Sequence, residues 1–453
     1  MKSLEKATQM NKKVILIPGN TDLNRGDQAL VWESVNVIKD IYDNPEVILM
    51  KGDDHRQFVQ TEKMGYPMIK AILKHPARIF SQKQKINYSK TDVLLIGLVA
   101  VFDLLLTSLL LARCRIVNKF ALLFMGKEST ETFETFRHSD AIFVKGGGFI
   151  HSYGAVTDAY QMYYLLFYIL LGIRHKKNVV VLPNSIGPLK SKLASRLADF
   201  ALKRCRYVSL RESVSLKFME SRQYKDVPIT LHSDLGYYLT ASDLDSKAYL
   251  TNRGVDMSCK KVVITLRPYR FPGNSSSSEL YEKYINGISD FSKLLVDKGY
   301  QIVFFSHTLG PSVHENDTIA IKEVCDKLET EKCPFIFIED ETLTCRDVMA
   351  LYSCFDCLIG TRFHSVIFAQ NSLVPTIAIT YGGNKGVGIM EDSGLKDFSI
   401  PMEYVTCDEL KIMFEHVEGA KDKIVNKLKT NRGQILLSRE TMVKEIKSLI
   451  GSF

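Results

Sequence analysis

The chain has no long basic run interleaved with aromatic residues, no G-x-G-x-x-G, no Walker A loop, and no second C-x-x-C beside Cys354 and Cys357. The first absence argues against nucleic-acid binding despite a net charge of +8, because 59 basic residues are scattered among 51 acidic ones. The next two remove the phosphate cradles of dinucleotide and ATP sites. The last leaves the lone C-x-x-C without the partners a metal site needs, so no metal is expected and apolar packing accounts for it. Nine cysteines at irregular spacing in 453 residues read as reduced intracellular thiols. The first apolar run, VILIP, is too short for a signal peptide, and a cytoplasmic location is expected.

What is present is a large core. Hydrophobic residues make up 45% of the chain, and its length suggests two or three domains. Short apolar runs at Val14 to Pro18, Ala141 to Val144, Val179 to Pro183 and Tyr207 to Leu210 alternate with helical patterns, the signature of a parallel α/β sheet. A polar stretch from Ala241 to Lys260 interrupts the pattern, and KVVITLRPYR, QIVFFSH, PFIFIED and DCLIG restart it. The expected boundary is therefore near residue 250, with one α/β domain over 1–250 and a second over 251–453. Two closing helices are expected from about Asp408.

The most informative segment is CLIGTRFHSVIFAQNSLVPTIAITYGGNK. Asp356 to Gly360 reads as a strand end, Thr361 as a cap, and Arg362 and His364 as the first turn of a helix, where free backbone N–H groups and the helix dipole favour anions. Lys385 follows the next strand in a glycine-rich loop, Tyr381 to Gly388, which includes Gly383. Each cation alone has a bland reading, Arg362 in a surface pair and His364 as a satisfied core histidine. Together, with no Asp or Glu between Asp356 and Glu391, they read as a site for a small multiply charged anion.

Loops of the first half leave strand ends where ligands bind in open α/β sheets. One passes through Gly19 and Asn20 to Asn24, Arg25, Gly26 and Asp27; Asp27 is either a helix cap or a proton acceptor. Another carries Lys145, Gly146, Gly147 and Gly148, either a structural turn or a place where a ligand lies against the backbone. Arg211 leaves a third strand, with an Arg211–Glu212 pair in a helix cap as the alternative.

The ordered set GNxxxNRGDQAL, KGGGF, NSIGP, SLRES, HSDLG, TRFHS and YGGNK, from about residue 13 to 400, resembles the polysaccharide pyruvyl transferases. The resemblance implies two Rossmann-like domains facing a cleft, a GT-B-like fold. It also implies transfer of pyruvate from phosphoenolpyruvate onto paired hydroxyls of a sugar as a cyclic ketal. Carried over, Arg211, Arg362, His364 and Lys385 match the donor site, while Asn20, Gly26 and Asp27 match the first glycine-rich loop. His364 is then the candidate proton donor, and Asp27, or Glu391, the candidate base. No cofactor is implied, phosphoenolpyruvate being a co-substrate. The expected partners are phosphoenolpyruvate and a sugar or lipid-linked oligosaccharide. Two other readings fit the same pattern, a nucleotide-sugar glycosyltransferase of this architecture and a non-catalytic binding protein on the same fold.

The apolar insertion at 92–112 departs from the family pattern. Its length would span a bilayer, and fourteen Val, Leu, Ile or Phe residues at roughly −0.3 to −0.6 kcal/mol each outweigh Asp103 at roughly +3. A true crossing would place strands of one sheet on opposite sides of the membrane. What remains is either a hairpin dipping into the cytoplasmic leaflet, which makes the protein peripheral on the inner face of the membrane, or a helix buried against the domain. The stretch YQMYYLLFYILLGI reads more simply as a core helix.

Overall fold

The computed structural model describes residues 11–450 except 20, 53, 74–88, 223, 225, 273, 313–314 and 383–384, and except the side chains of Lys90, Val93 and Lys385. Two parallel sheets emerge. The first contains β1 (Lys13–Ile17), β2 (Glu46–Lys51), β3 (Met68–Lys70), β4 (Ala141–Val144), β5 (Gly147–Ser152), β6 (Asn178–Leu189), β7 (Tyr207–Leu210) and β8 (Ile229–Leu231). Their order is β3-β2-β1-β4-β6-β7-β8, with β5 beside β6. The second contains β9 (Lys261–Thr265), β10 (Gln301–Phe305), β11 (Ile336–Ile338), β12 (Cys357–Gly360), β13 (Thr376–Thr380) and β14 (Ser399–Pro401), in the order β11-β10-β9-β12-β13-β14. In each sheet the winding reverses once, at β1/β4 and at β9/β12. Ligands of open α/β sheets bind outside the carboxyl ends of strands at such a reversal.

The strands are apolar because both faces are covered. In β1, Val14 and Leu16 enter one core and Ile15 and Ile17 the other, the two-residue period of an extended chain. The first of these cores continues into the second sheet, so the lobes share apolar packing. The YQMYYLLFYILLGI stretch is the core of helix Asp158–Arg174, with Leu166, Phe167, Ile169 and Leu171 fully buried.

Helix α1 (Arg25–Ile41) starts where the Asn24 side chain accepts the N–H groups of Gly26 and Asp27. Its first turn is pinned to the second lobe. Asn24 bridges Thr308, Leu309 N–H donates to the Leu23 carbonyl at 2.7 Å, and Gln28 Oε1 accepts Cys345 N–H at 2.6 Å. On another side of the lobe contact, Ser213 donates through its N–H and hydroxyl to Asp392 at 2.7 and 2.5 Å. The long final helix, Lys421–Ile450, returns to the first sheet, where Glu445 accepts the Tyr207 hydroxyl at 2.7 Å.

The apolar insertion forms α2 (Lys90–Leu111), which turns back into α3 (Arg115–His138). Asn118 closes the turn by donating to the carbonyls of Leu109, Leu110 and Ala112, and Arg174 ties it to the domain through the Ala112 carbonyl at 2.8 Å. Burial of this helix against the domain is not what the structure shows, since only 11% of Leu94–Leu111 is buried. The physical reason is one-sided packing: Asp103 and Thr107 meet Tyr160 and Tyr163, and among the described residues nothing covers the opposite face. Because Val14 of β1 pairs directly with Ala141 of β4, the segments flanking the hairpin lie in one sheet.

Asp22 sets the loop that precedes α1. Its buried carboxylate accepts from Gln28 Nε2, the N–H groups of Gln60 and Thr61, and the Thr61 hydroxyl. Asp22→Ala leaves those donors unmatched and is expected to cost about 3 to 5 kcal/mol, measurable by chemical denaturation. A loss below about 1 kcal/mol would show that water replaces the carboxylate.

Candidate functional site

Arg211, Arg362 and His364 lie at the carboxyl ends of strands, in a different electrostatic setting from the one expected, while the side chain of Lys385 lies outside the described residues. Arg211 follows β7 and is buried; it donates from Nη1 to Asp234 Oδ2 at 2.6 Å and from Nε to Ser185 Oγ at 2.8 Å. The helix-cap pair with Glu212 is secondary at 3.7 Å, and Glu212 instead accepts the hydroxyls of Ser185 and Ser215. Arg362 is not inside its helix. Helix Phe363–Asn371 begins one residue later than expected, with Arg362 rather than Thr361 at the N-cap. Arg362 donates from Nε to Asp317 Oδ1 and from Nη2 to the Glu315 carbonyl, both at 2.6 Å. The sequence neighbourhood of Arg362 lacks acids, yet the fold brings Asp317 from 45 residues upstream, so this cation is neutralised.

Asp234 links the lobes. While its Oδ2 holds Arg211, its Oδ1 accepts Gly236 N–H at 2.7 Å and lies 3.6 Å from His364 Nε2. That last distance is too long for a hydrogen bond, yet it sets the imidazole directly against the carboxylate. Burial pushes the Asp234 carboxyl up, but Arg211, His364 and the Gly236 N–H prevail and hold it well below the usual carboxylate range. It is a fixed negative charge facing an imidazole whose side chain keeps 20% of its surface.

Two glycines fit around His364. A Cβ at Gly26 would overlap the imidazole ring, and one at Gly236 would sit 3.3 Å from its Cδ2. Gly26 is thus needed for close approach of α1 to His364. The other glycines have structural reasons. A Cβ at Gly146 would lie 3.1 Å from Leu235 Cδ1 and the Pro183 carbonyl. Gly147 and Gly148 are the first residues of β5, not a turn. A Cβ at Gly19 would meet the Met50 carbonyl at 3.3 Å, at the end of β1. Asn20 and Gly383 lie outside the described residues.

Asp27 is in the first turn of α1 and its carboxylate accepts Lys145 Nζ at 2.5 Å, an ion pair across the β1/β4 reversal that the sequence did not reveal. Asp27 retains 30% side-chain exposure. Lys385 is not in a loop: it begins helix Lys385–Asp392. Glu391, near the other end of that helix, is exposed and pairs with Lys396 at 3.1 Å, so it does not join the cluster.

Several residues went unnoticed in the sequence. Asp234 sits in HSDLG, one of the motifs that carry the family resemblance, but the sequence offered no role for it. Asp317 is buried at the start of helix Asp317–Thr330; burial pushes its carboxyl up to about 6 against the pull of Arg362. His307, after β10, is buried, with Nδ1 3.1 Å from the Tyr352 hydroxyl. Burial first, then the neighbouring charges of His364 and Arg362, lowers its pKa well below the ordinary value and keeps it neutral. Arg267, two residues after β9, lies with its guanidinium 4.2 Å from the centre of the Tyr381 ring. A cavity of about 420 Å³ opens beside Arg211, bordered also by His232, Tyr237, Asn371 and Asn431.

A family model described as polysaccharide pyruvyl transferase matches residues 24–383, a span that holds the second sheet's reversal and the Arg211–Asp234–His364 link. The chain belongs to the polysaccharide pyruvyl transferase family. It is accordingly a transferase of pyruvyl groups acting in polysaccharide biosynthesis. It is similar to the amylovoran biosynthesis protein AmsJ of Erwinia amylovora, 24% identical over 392 residues that cover 85% of this chain and 87% of that one. Among solved structures it resembles Glycyrrhiza uralensis UGT73P12, with TM-score 0.58, 10% identity, and coverage of 98% and 96% of the two chains. Anabaena Alr3699/HepE, solved with UDP-glucose, gives TM-score 0.53, 9% identity, and coverage of 96% and 99%. These likenesses show the fold, which is GT-B-like.

Gly26→Ala tests the close approach at His364. The new methyl group must displace the imidazole or part the lobes, and a misplacement of about 1 Å costs on the order of 100-fold in turnover. Turnover within a factor of about two of the parent would show that the ring position is unimportant.

Proposed function

We propose that this pyruvyl transferase takes its pyruvyl group from phosphoenolpyruvate and sets it as a cyclic ketal on two hydroxyls of a sugar, in a polysaccharide or a lipid-linked precursor, releasing phosphate. The observation that carries this reading is the Arg211–Asp234–His364 link, a cation and an imidazole joined across the lobes by one carboxylate, with Arg362 at the second sheet reversal. Phosphoenolpyruvate presents a carboxylate and a phosphate on three carbons, and losing their hydration demands several cations at fixed positions. Arg211 and Arg362 are both buried and oriented by acids, and among the described residues Arg211 Nη2 and Arg362 Nη1 have no partner. Lys385, at the start of its helix, is the third donor-binding group in this reading.

The chemistry needs a proton at C3 of the enol while a sugar hydroxyl attacks C2. His364 supplies that proton, and Asp234 fixes a negative charge beside its imidazole. The new C2–O bond forms as the C2=C3 electron pair takes the proton. Loss of phosphate, with its C–O electron pair, leaves an oxocarbenium ion that the second hydroxyl traps. Of the two hydroxyl protons, one restores His364 and one leaves with phosphate. Asp27, partly exposed and held by Lys145, accepts the first hydroxyl proton and passes it to the departing phosphate, while the second hydroxyl proton restores His364.

Purified protein is incubated with phosphoenolpyruvate or with nucleotide sugars, and phosphate release that depends on an acceptor glycan is followed. Acceptor-dependent phosphate from phosphoenolpyruvate alone is expected; turnover of a nucleotide sugar instead, or of neither donor, would refute the reading. His364→Ala is expected to lower turnover on the order of 100 to 10,000-fold while donor affinity changes little. Near-parental turnover would remove His364 from the proton-donor role.

A further inference from the structure

The hairpin of α2 and α3 carries an apolar surface that none of the described residues covers and that the transfer reaction does not use. On α2, Leu94, Leu98, Val101, Phe102 and Leu105 recur at helical spacing and are 56–65% exposed. From Leu94 to Ser108 the exposed positions are Leu94, Leu95, Gly97, Leu98, Val101, Phe102, Leu105 and Ser108, none of them charged. The one acid in this stretch, Asp103, is turned the other way, accepting the Tyr160 hydroxyl at 3.0 Å. The first half of α3 repeats the pattern: Ile116, Phe120, Leu123 and Phe124 are 55–81% exposed. The pattern stops at Gly126, whose φ of 82° breaks the helix; beyond it Thr132, Phe133 and Phe136 are buried against the domain. Soluble monomers seldom leave so many large apolar side chains together in water.

We propose that α2 and the first half of α3 form a docking surface for an anionic bilayer, lying in the plane of the headgroup and acyl boundary. Three features favour lipid. The turn that joins the helices carries exposed Arg113 and Arg115, with Lys119 one turn on, where anionic headgroups would meet them. The turn is also held down by Arg174, which donates to the Ala112 carbonyl and to Asn118 Oδ1, so the hairpin rests flat on its domain rather than projecting tip-first. Finally, the pairing of β1 with β4 returns the chain to the side it left, which suits a surface-lying element and not a crossing. The inference concerns where the enzyme sits and stands whatever its donor proves to be.

Sedimentation with vesicles of equimolar phosphatidylglycerol and phosphatidylcholine tests it. The parent protein is expected to pellet with these vesicles and less with pure phosphatidylcholine. Leu98→Glu, Phe102→Glu and Leu105→Glu together are expected to lower the vesicle-bound fraction by at least about tenfold, with the melting temperature unchanged since these side chains face outwards. Arg113→Gln, Arg115→Gln and Lys119→Gln together are expected to remove the preference for phosphatidylglycerol. The proposal is overturned if the parent stays in the supernatant, if the glutamate variant pellets as before, or if light scattering shows that the glutamates dissociate a dimer that never bound vesicles.

Discussion

A carboxylate withdrawn from water between two lobes costs several kcal/mol and persists only where donors surround it. Asp234 is fully buried at such a place, with a guanidinium on one oxygen and a backbone N–H and an imidazole on the other. Arg211 belongs to the first sheet's edge and His364 to the second, so the same charge that must be satisfied for folding also fixes how the lobes meet. Gly26 and Gly236 then leave room for the imidazole and for nothing larger. The site is therefore a product of lobe closure, and its parts have their positions only when both sheets are in register with α1.

The same arrangement recurs at the other cations. Arg362 is oriented by Asp317, and Lys145 by Asp27, each acid supplied by a distant stretch of chain. Paired in this way, a cation loses net charge but gains a fixed direction, and a small dianion is recognised by direction as much as by charge. An uncompensated cluster of buried cations would oppose its own folding. In the proposed reading, substrate recognition and stability draw on the same ion pairs.

Much of this was legible in the sequence. The β4 and β7 strands fall where apolar runs and flanking polar residues put them, because strands buried on both faces leave no ambiguity about which residues belong. TRFHS and SLRES could be assigned to strand ends for the same reason. What could not be read was tertiary pairing: nothing local to Arg362 points to Asp317, and nothing local to His364 points to Asp234. The start of helix Lys385–Asp392 was hidden by the glycines around it, which suggest a loop. The fate of the 92–112 segment depended on which of its faces α2 turns towards Tyr160 and Tyr163, a question that composition does not address.

The central claim is that Asp234 and His364 act as one unit across the lobes. A double-mutant cycle on turnover, with Asp234→Asn, His364→Gln and the two combined, measures this directly. The account predicts that each single change lowers turnover on the order of 100-fold and that the combination is hardly worse than either alone. Losses that multiply in the double variant would mean that the two residues act independently, and the account would fail.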